Sequence, residues 1–199
     1  PLVKHSVRSL LGHGLERAIV VSAGPSLYKH DILNRIRGSF QGDIIAIDGS
    51  YIQCLKAGIT PDYVLTLDPH PTRMVRWFGD PNLEENMNGD DYFQRQDLDM
   101  AFRTNQIEEN RANIALVDGH KTKLVISTTA PQNVVERTEG FERFWFAPLC
   151  DSPTKNGITQ EIVAATGLPA MNTGGTVGTA AWVFALSVLG CEDIAVVGM

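Results

Sequence analysis

Cysteine is scarce, and what there is lies scattered. Cys54, Cys150 and Cys191 form no CxxC pair and have no histidine at a spacing suited to zinc, which removes a disulfide framework and a zinc module. The chain has no apolar stretch of about 18 residues, so no membrane span is expected; the apolar run Ala180–Leu189 is too short. Pro1–Leu15 has no continuous apolar core of the signal-peptide kind. Basic residues are outnumbered, 17 Lys and Arg against 23 Asp and Glu, and the net charge of −6 argues against a nucleic-acid duplex as partner. The motif inventory is short as well. GxGxxG, the P-loop, GxSxG, HExxH and a catalytic cysteine signature are all missing, which leaves hydrolase and metalloprotease chemistry without support. These absences leave a cytoplasmic protein with reduced thiols as the expectation.

What is present is alternation. With 43% hydrophobic residues, 199 positions suffice for one domain with one sizeable core. Ala18–Ala23 (AIVVSA), Asp43–Ile47 (DIIAI), Tyr63–Leu67 (YVLTL), Lys123–Ser127 (KLVIS) and Ile194–Val197 are short β-branched runs, as expected of strands buried on both faces. Between them lie helix-like segments, Tyr28–Arg37, Tyr51–Ala57 before Gly58, Ile158–Ala165 and Thr179–Leu189 before Gly190. The alternation predicts an α/β fold, a doubly wound and mostly parallel Rossmann-like sheet with helices on both faces. Asn113–Val117 reads as a further strand and Phe141–Phe146 as an edge strand. The polar, Gly/Asn/Asp-rich segment Pro81–Asp91 predicts a loop, and residues 72–112 an inserted loop or lid. The chain opens at Pro1 without Met and stops at Met199 after a strand-like run, so a longer parent chain is expected.

Every small or polar cluster follows a predicted strand or opens a predicted helix, and that is where open α/β sheets bind ligands. In Gly24-Pro25-Ser26-Leu27 the glycine permits close backbone approach, proline presets a helix start, and serine offers a hydroxyl beside a partly positive helix end. Asn172–Thr179 places Thr173, Gly174, Gly175 and Thr176 ahead of a small-residue helix, a pattern that exposes N–H groups to an anion or permits close packing. Asp48, with Gly49 and Ser50, and Asp68 end neighbouring strands. Their carboxylates suit a ribose hydroxyl, a base amine or magnesium, and equally a plain turn. His70 is a candidate acid or base beside Asp68; Thr128 adds a polar wall; Arg73, Arg76 and Trp77 form a cluster suited to an anionic or sugar group. No metal ligands stand out.

In order, IVVSAGPSL, AIDGSYIQCLKAGITPDYVLTLDPHP, LVISTTAP and NTGGTVGTAAWVFALSVLGCEDIAVVGM resemble the MptE-like superfamily, which includes the motility-associated (Maf) flagellin glycosyltransferases. The resemblance runs from about Ile19 to Met199, with Thr72–Asn113 unmatched. Maf-type members are similar to bacterial sialyltransferases, which transfer nonulosonic acids from a CMP donor and require no cofactor. On that likeness Gly24–Leu27 and Thr173–Gly175 would contact the nucleotide. Archaeal MptE members move pyrophosphate from ATP, with magnesium, to 6-hydroxymethyl-dihydropterin. The DGS…GITPDYV stretch is also similar to thiamine pyrophosphokinases, whose motif places two acids where this chain has the single Asp68.

The resemblance therefore implies a nucleotide-dependent transferase, with Asp68 and His70 as its catalytic candidates. The glycosyltransferase-like reading is preferred, with a nucleotide-sugar donor and a small-molecule, glycan or protein acceptor. The alternatives are the magnesium-ATP diphosphokinase and a non-catalytic nucleotide-binding fragment. The general base of the related sialyltransferases would fall beyond Met199.

Overall fold

The computed structural model describes residues 5–89, 100–151 and 157–199. Seven strands form one sheet: β1 (Arg17–Val21), β2 (Asp43–Ile47), β3 (Tyr63–Thr66), β4 (Lys123–Ser127), β5 (Arg143–Pro148), β6 (Ala170–Met171) and β7 (Asp193–Val197). Their spatial order is β6-β5-β4-β3-β2-β1-β7, and every pairing is parallel. This is the expected Rossmann-like α/β sheet. The chain walks outward from β1 to β6, then returns and lays β7 on the far side of β1. β1 is thus where the winding reverses, and its carboxyl end is the switch point at which such sheets take ligands.

The winding divides the helices unequally. Helix Val177–Val183, continued by a π-helical stretch Phe184–Leu189, is the one α-helix among the described residues that packs over β1–β3 on its face, through Ala180, Ala181, Phe184 and Ala185. Three alanines bring its backbone close to Val20, Ile45 and Leu65. A 3-10 turn, Val7–Leu10, joins the same core. The other face carries helices Ser26–Lys29, Ile32–Ser39, Asp48–Lys56, Pro71–Met74, Leu83–Gly89, Met100–Asp118 and Gln132–Arg137. There Tyr51, Leu55, Phe78, Val117 and Val134 pack on Val21, Ala46, Val64, Leu124 and Ile126. No helix among the described residues is long and apolar enough to cross a membrane.

Three local expectations need correction. Asn113–Val117 is the last part of helix Met100–Asp118, not a strand. A five-residue apolar run does not separate the two states, and here Ile107, Ile114 and Val117 recur at helical spacing. The segment expected as a loop is helical over Leu83–Gly89; its end, with residues 90 and 91, lies outside the described residues. Asp80 explains the helix: its carboxylate accepts from the Asn82 N–H and from Asn86 Nδ2, at 2.9 and 2.6 Å, satisfying groups at the helix start. Finally, β5 is not an edge strand, because β6 pairs with its outer side at Ala147 and Pro148.

Candidate functional site

The carboxyl ends of β7, β1, β2 and β3 lie side by side, and the predicted clusters sit on them. At the switch point the connections after β1 and β7 are stitched together. The Gly24 N–H donates to Gly198 O at 2.5 Å and the Ser22 N–H to Val197 O at 2.8 Å. A Cβ at Gly24 would overlap the Gly198 carbonyl, and one at Gly198 would overlap that of Ser22. The Gly24 N–H is therefore spent on the seam rather than offered outward. Pro25 is helical (φ −59°, ψ −24°) and exposed, and the Ser26 hydroxyl donates to Met199 O at 3.3 Å. Leu27 is a core residue.

Across the sheet edge, on the opposite face, the glycine-rich turn caps helix Val177–Val183. Thr176 Oγ1 accepts from the Thr179 N–H and Thr179 Oγ1 from the Thr176 N–H, each at 3.1 Å, a reciprocal capping box. Thr179 Oγ1 also donates to Thr173 O, and the Gly174 N–H is taken by Asn172 Oδ1. Among the described residues no acceptor takes the Gly175, Val177 or Gly178 N–H. Gly175 (φ +86°) has open space where a Cβ would stand. Gly178 does not: a Cβ there would fall 2.8 Å from Ser22 Oγ, so this helix end rests on the end of β1.

The many-helix face is built differently. Asp48, the residue after β2, is almost wholly buried; its Oδ1 accepts from the Gly49 N–H at 2.7 Å, and its Oδ2 has no partner. Register places Asp48 opposite Thr66, whose hydroxyl is also unpartnered. That hydroxyl is close enough to favour the charged carboxylate without completing a bond of good geometry. Burial dominates and raises Asp48 to about 6, with the Asp68 charge adding to the rise and Thr66 and the Gly49 N–H opposing it. With Ser22 Oγ, which is buried and unpartnered at the end of β1, three adjacent strands each end in such an atom. Unpaired buried polar atoms are costly and rare, and here they mark both faces of one sheet edge, Ser22 under the glycine-rich turn and Asp48 and Thr66 on the other side.

Beside Asp48 opens a cavity of 560 Å³. Gly49 and Asp68 form its sheet-side rim, Ile52, Met74, Trp77 and Leu83 its apolar wall, and Gln53, Gln106, Asn110 and Asn113 supply amides. Arg73 and Arg76 line it too, so the Arg/Trp cluster seen in the sequence faces a cavity. Helix Met100–Asp118 roofs it, held by Lys56–Glu109 at 2.8 Å and by Asn110, which accepts from the Asp80 N–H and donates to Asp80 O.

The family model described as 6-hydroxymethylpterin diphosphokinase MptE-like matches residues 2–86. Over that span the chain is similar to the family. No curated protein matches the chain. The matched span contains the Gly24 turn, Asp48, Asp68 and the apolar wall, whereas the roof helix and the glycine-rich turn lie outside it.

The remaining candidates fall into place around this frame. Ser50 is fully buried, its hydroxyl donating to Val21 O at 2.5 Å, so it straps the strand ends together. Asp68 is exposed and its Oδ1 accepts from the His70 N–H; His70 Nδ1 in turn accepts from the Arg73 N–H at 3.4 Å as a helix cap. Thr128 is half-buried in a turn whose Ser127 and Thr129 hydroxyls already bond to each other and to Leu67 O. Ser22, Thr66 and Asn113 were missed. The first two had a readable signal, a hydroxyl inside the apolar runs AIVVSA and YVLTL.

Proposed function

We propose that the chain is the nucleotide-binding domain of a nucleotide-dependent transferase, with the nucleotide across the switch point and the acceptor in the 560 Å³ cavity. The observation that carries this reading is the row of unpartnered buried polar atoms, Ser22 Oγ, Asp48 Oδ2 and Thr66 Oγ1, between the glycine-rich turn and the cavity. The N–H groups of Gly175, Val177 and Gly178 suit a phosphate. Asp48 and Asp68 suit the hydroxyls or amines of a nucleoside or acceptor, and Trp77 a flat or sugar-like face. The finer proposal is a glycosyltransferase-like activity with a CMP-activated sialic or nonulosonic acid donor. Departure of a monophosphate then needs fixed N–H donors more than a metal.

The family match favours a second reading, a magnesium-ATP-dependent 6-hydroxymethylpterin diphosphokinase. Two carboxylates, one with an unpartnered oxygen, fit magnesium that is otherwise held by substrate phosphates and water. Bound there, the ion would neutralise phosphate charge. Among the described residues no group of three or more His, Cys, Asp or Glu is clustered for a metal.

Calorimetry with CMP, CDP, UDP, ADP and ATP, with magnesium or EDTA, separates the readings. The expected result is cytidine-nucleotide binding unchanged by EDTA and weakened about tenfold by Gly175→Asn, since asparagine tolerates a left-handed backbone better than a branched residue. Tight ATP binding that requires magnesium and disappears in Asp68→Ala would replace the first reading by the second. Silence toward every nucleotide would sink both, and binding without a metal dependence or turnover would leave the non-catalytic nucleotide-binding fragment.

A further inference from the structure

The opposite edge of the sheet, at the amino ends of β4 and β5, holds a second cavity of 490 Å³. It is formed by the connections that lead into those two strands, residues 117–123 and 137–142. Arg137 lines it with a side chain only 10% exposed. Its Nε donates to Gly79 O and its Nη1 to Asp118 Oδ1, both at 2.7 Å, while Nη2 has no partner. Thr122, 4% exposed and also lining the cavity, has a hydroxyl that completes no hydrogen bond of good geometry; its neighbour is the phenol of the fully buried Tyr51 behind it. The three groups are neighbours: burial raises the Tyr51 phenol, and the Thr122 hydroxyl and the Arg137 charge oppose that rise. Lys121 and Lys123 stand exposed on the rim. Three basic residues thus line it against two acids, Asp118 and Glu142, in a chain whose net charge is −6; the Lys123 ammonium lies 5.2 Å from the Tyr63 ring centroid.

A guanidinium N–H and a threonine hydroxyl, both buried and lining one cavity under a basic rim, are complementary to an oxyanion. We propose that this cavity binds the carboxylate or phosphate group of a small molecule, separately from the nucleotide edge. Occupancy would also be felt across the molecule. Arg137 holds Gly79 O, and the next residue, Asp80, anchors the roof of the first cavity through Asn110.

The test is a titration of the whole chain with inorganic phosphate and, separately, citrate, followed by calorimetry and by the backbone amide signals of Thr122 and Lys123. Saturable binding of either probe, with a dissociation constant of about 1 mM or tighter, is expected. Thr122→Val should weaken it about tenfold, read at the Lys123 amide, and Lys121→Ser with Lys123→Ser should do likewise, read at the Thr122 amide. The rim double variant carries the test should Thr122→Val fail to fold. Binding that neither variant weakens, or no saturation by about 50 mM of either probe, overturns the proposal.

Discussion

The β1/β7 seam and the cavity beside β2 and β3 lie at the same edge of one sheet, yet they are built on opposite terms. At the seam, backbone meets backbone: Gly24 and Gly198 touch so closely that neither position has room for a Cβ. At the cavity, side chains enclose open volume and an ion pair holds the roof, while next to its Gly49 rim the buried Asp48 carboxylate keeps one oxygen unpaired. The seam supplies fixed geometry, and the cavity holds the groups whose charge and contacts can change. The proposed site would use both, the seam to fix the strand ends beneath it and the cavity to accept different states of a substrate.

The largest effect should come from the seam. Gly24→Ala drives a methyl into the Gly198 carbonyl, and relief requires the two connections to separate. Such overlap against backbone should cost about 3 kcal/mol, read as a lowered urea midpoint. A loss under about 1 kcal/mol would mean that the seam yields, and the contrast with the cavity would collapse.

Asp48 gives the next effect, with the opposite sign. Its carboxyl titrates at about 6 when folded, against 3.8 for the unperturbed group, so between those values the folded chain holds the extra proton. Its contribution to stability is fully present below pH 4 and is lost as the pH rises through 6. The full amplitude is on the order of 3 kcal/mol. Asp48→Asn should therefore be more stable than the parent at pH 8 and equal to it at pH 4, while binding nucleotide more weakly. Unfolding curves at the two pH values check the first part and calorimetry the second. Equal stability at both would show that the carboxylate already has a partner.

The smallest effect belongs to the roof. Lys56 and Glu109 are 37% and 52% exposed, and exposed pairs contribute about 0.5 kcal/mol or less. Lys56→Met should shift stability by no more than that, and the shift should vanish in about 1 M salt. A larger, salt-insensitive loss would make the roof as rigid as the seam.

The sequence made the two parts legible to different degrees, for a physical reason. β1, β2, β3 and β4 could be read because strands buried on both faces are written as unbroken β-branched runs, and β7, a partly buried edge strand, because its apolar run is just as short and unbroken. The Gly24 and Gly175 turns could be read because glycine at a strand or helix end has few explanations. Gly24's actual contact could not, since Gly198 lies far along the chain and arrives only when the winding reverses. Asp48 was visible as a carboxylate at a strand end, but its burial depends on the Tyr63–Thr66 register and on helices packed above it. The roof was misread at Asn113–Val117 because the polar helix before it carries too few apolar residues to betray its period.

The lone helix over β1–β3 has a consequence for how the protein is made. Those strands are complete by Thr66, but the segment that covers one of their faces begins at Val177, roughly 110 residues later. At a ribosome's pace of about 5–20 residues per second, that interval lasts about 5–20 s. For that time Val20, Ile45 and Leu65, which the finished protein buries completely, lack the alanine-lined helix that seals them. β7, the last strand, can join β1 only after that helix has crossed the sheet. Synthesis thus leaves one apolar face open until Val177–Leu189 has emerged, which makes the nascent chain, rather than the folded protein, the species most in need of a chaperone's protection.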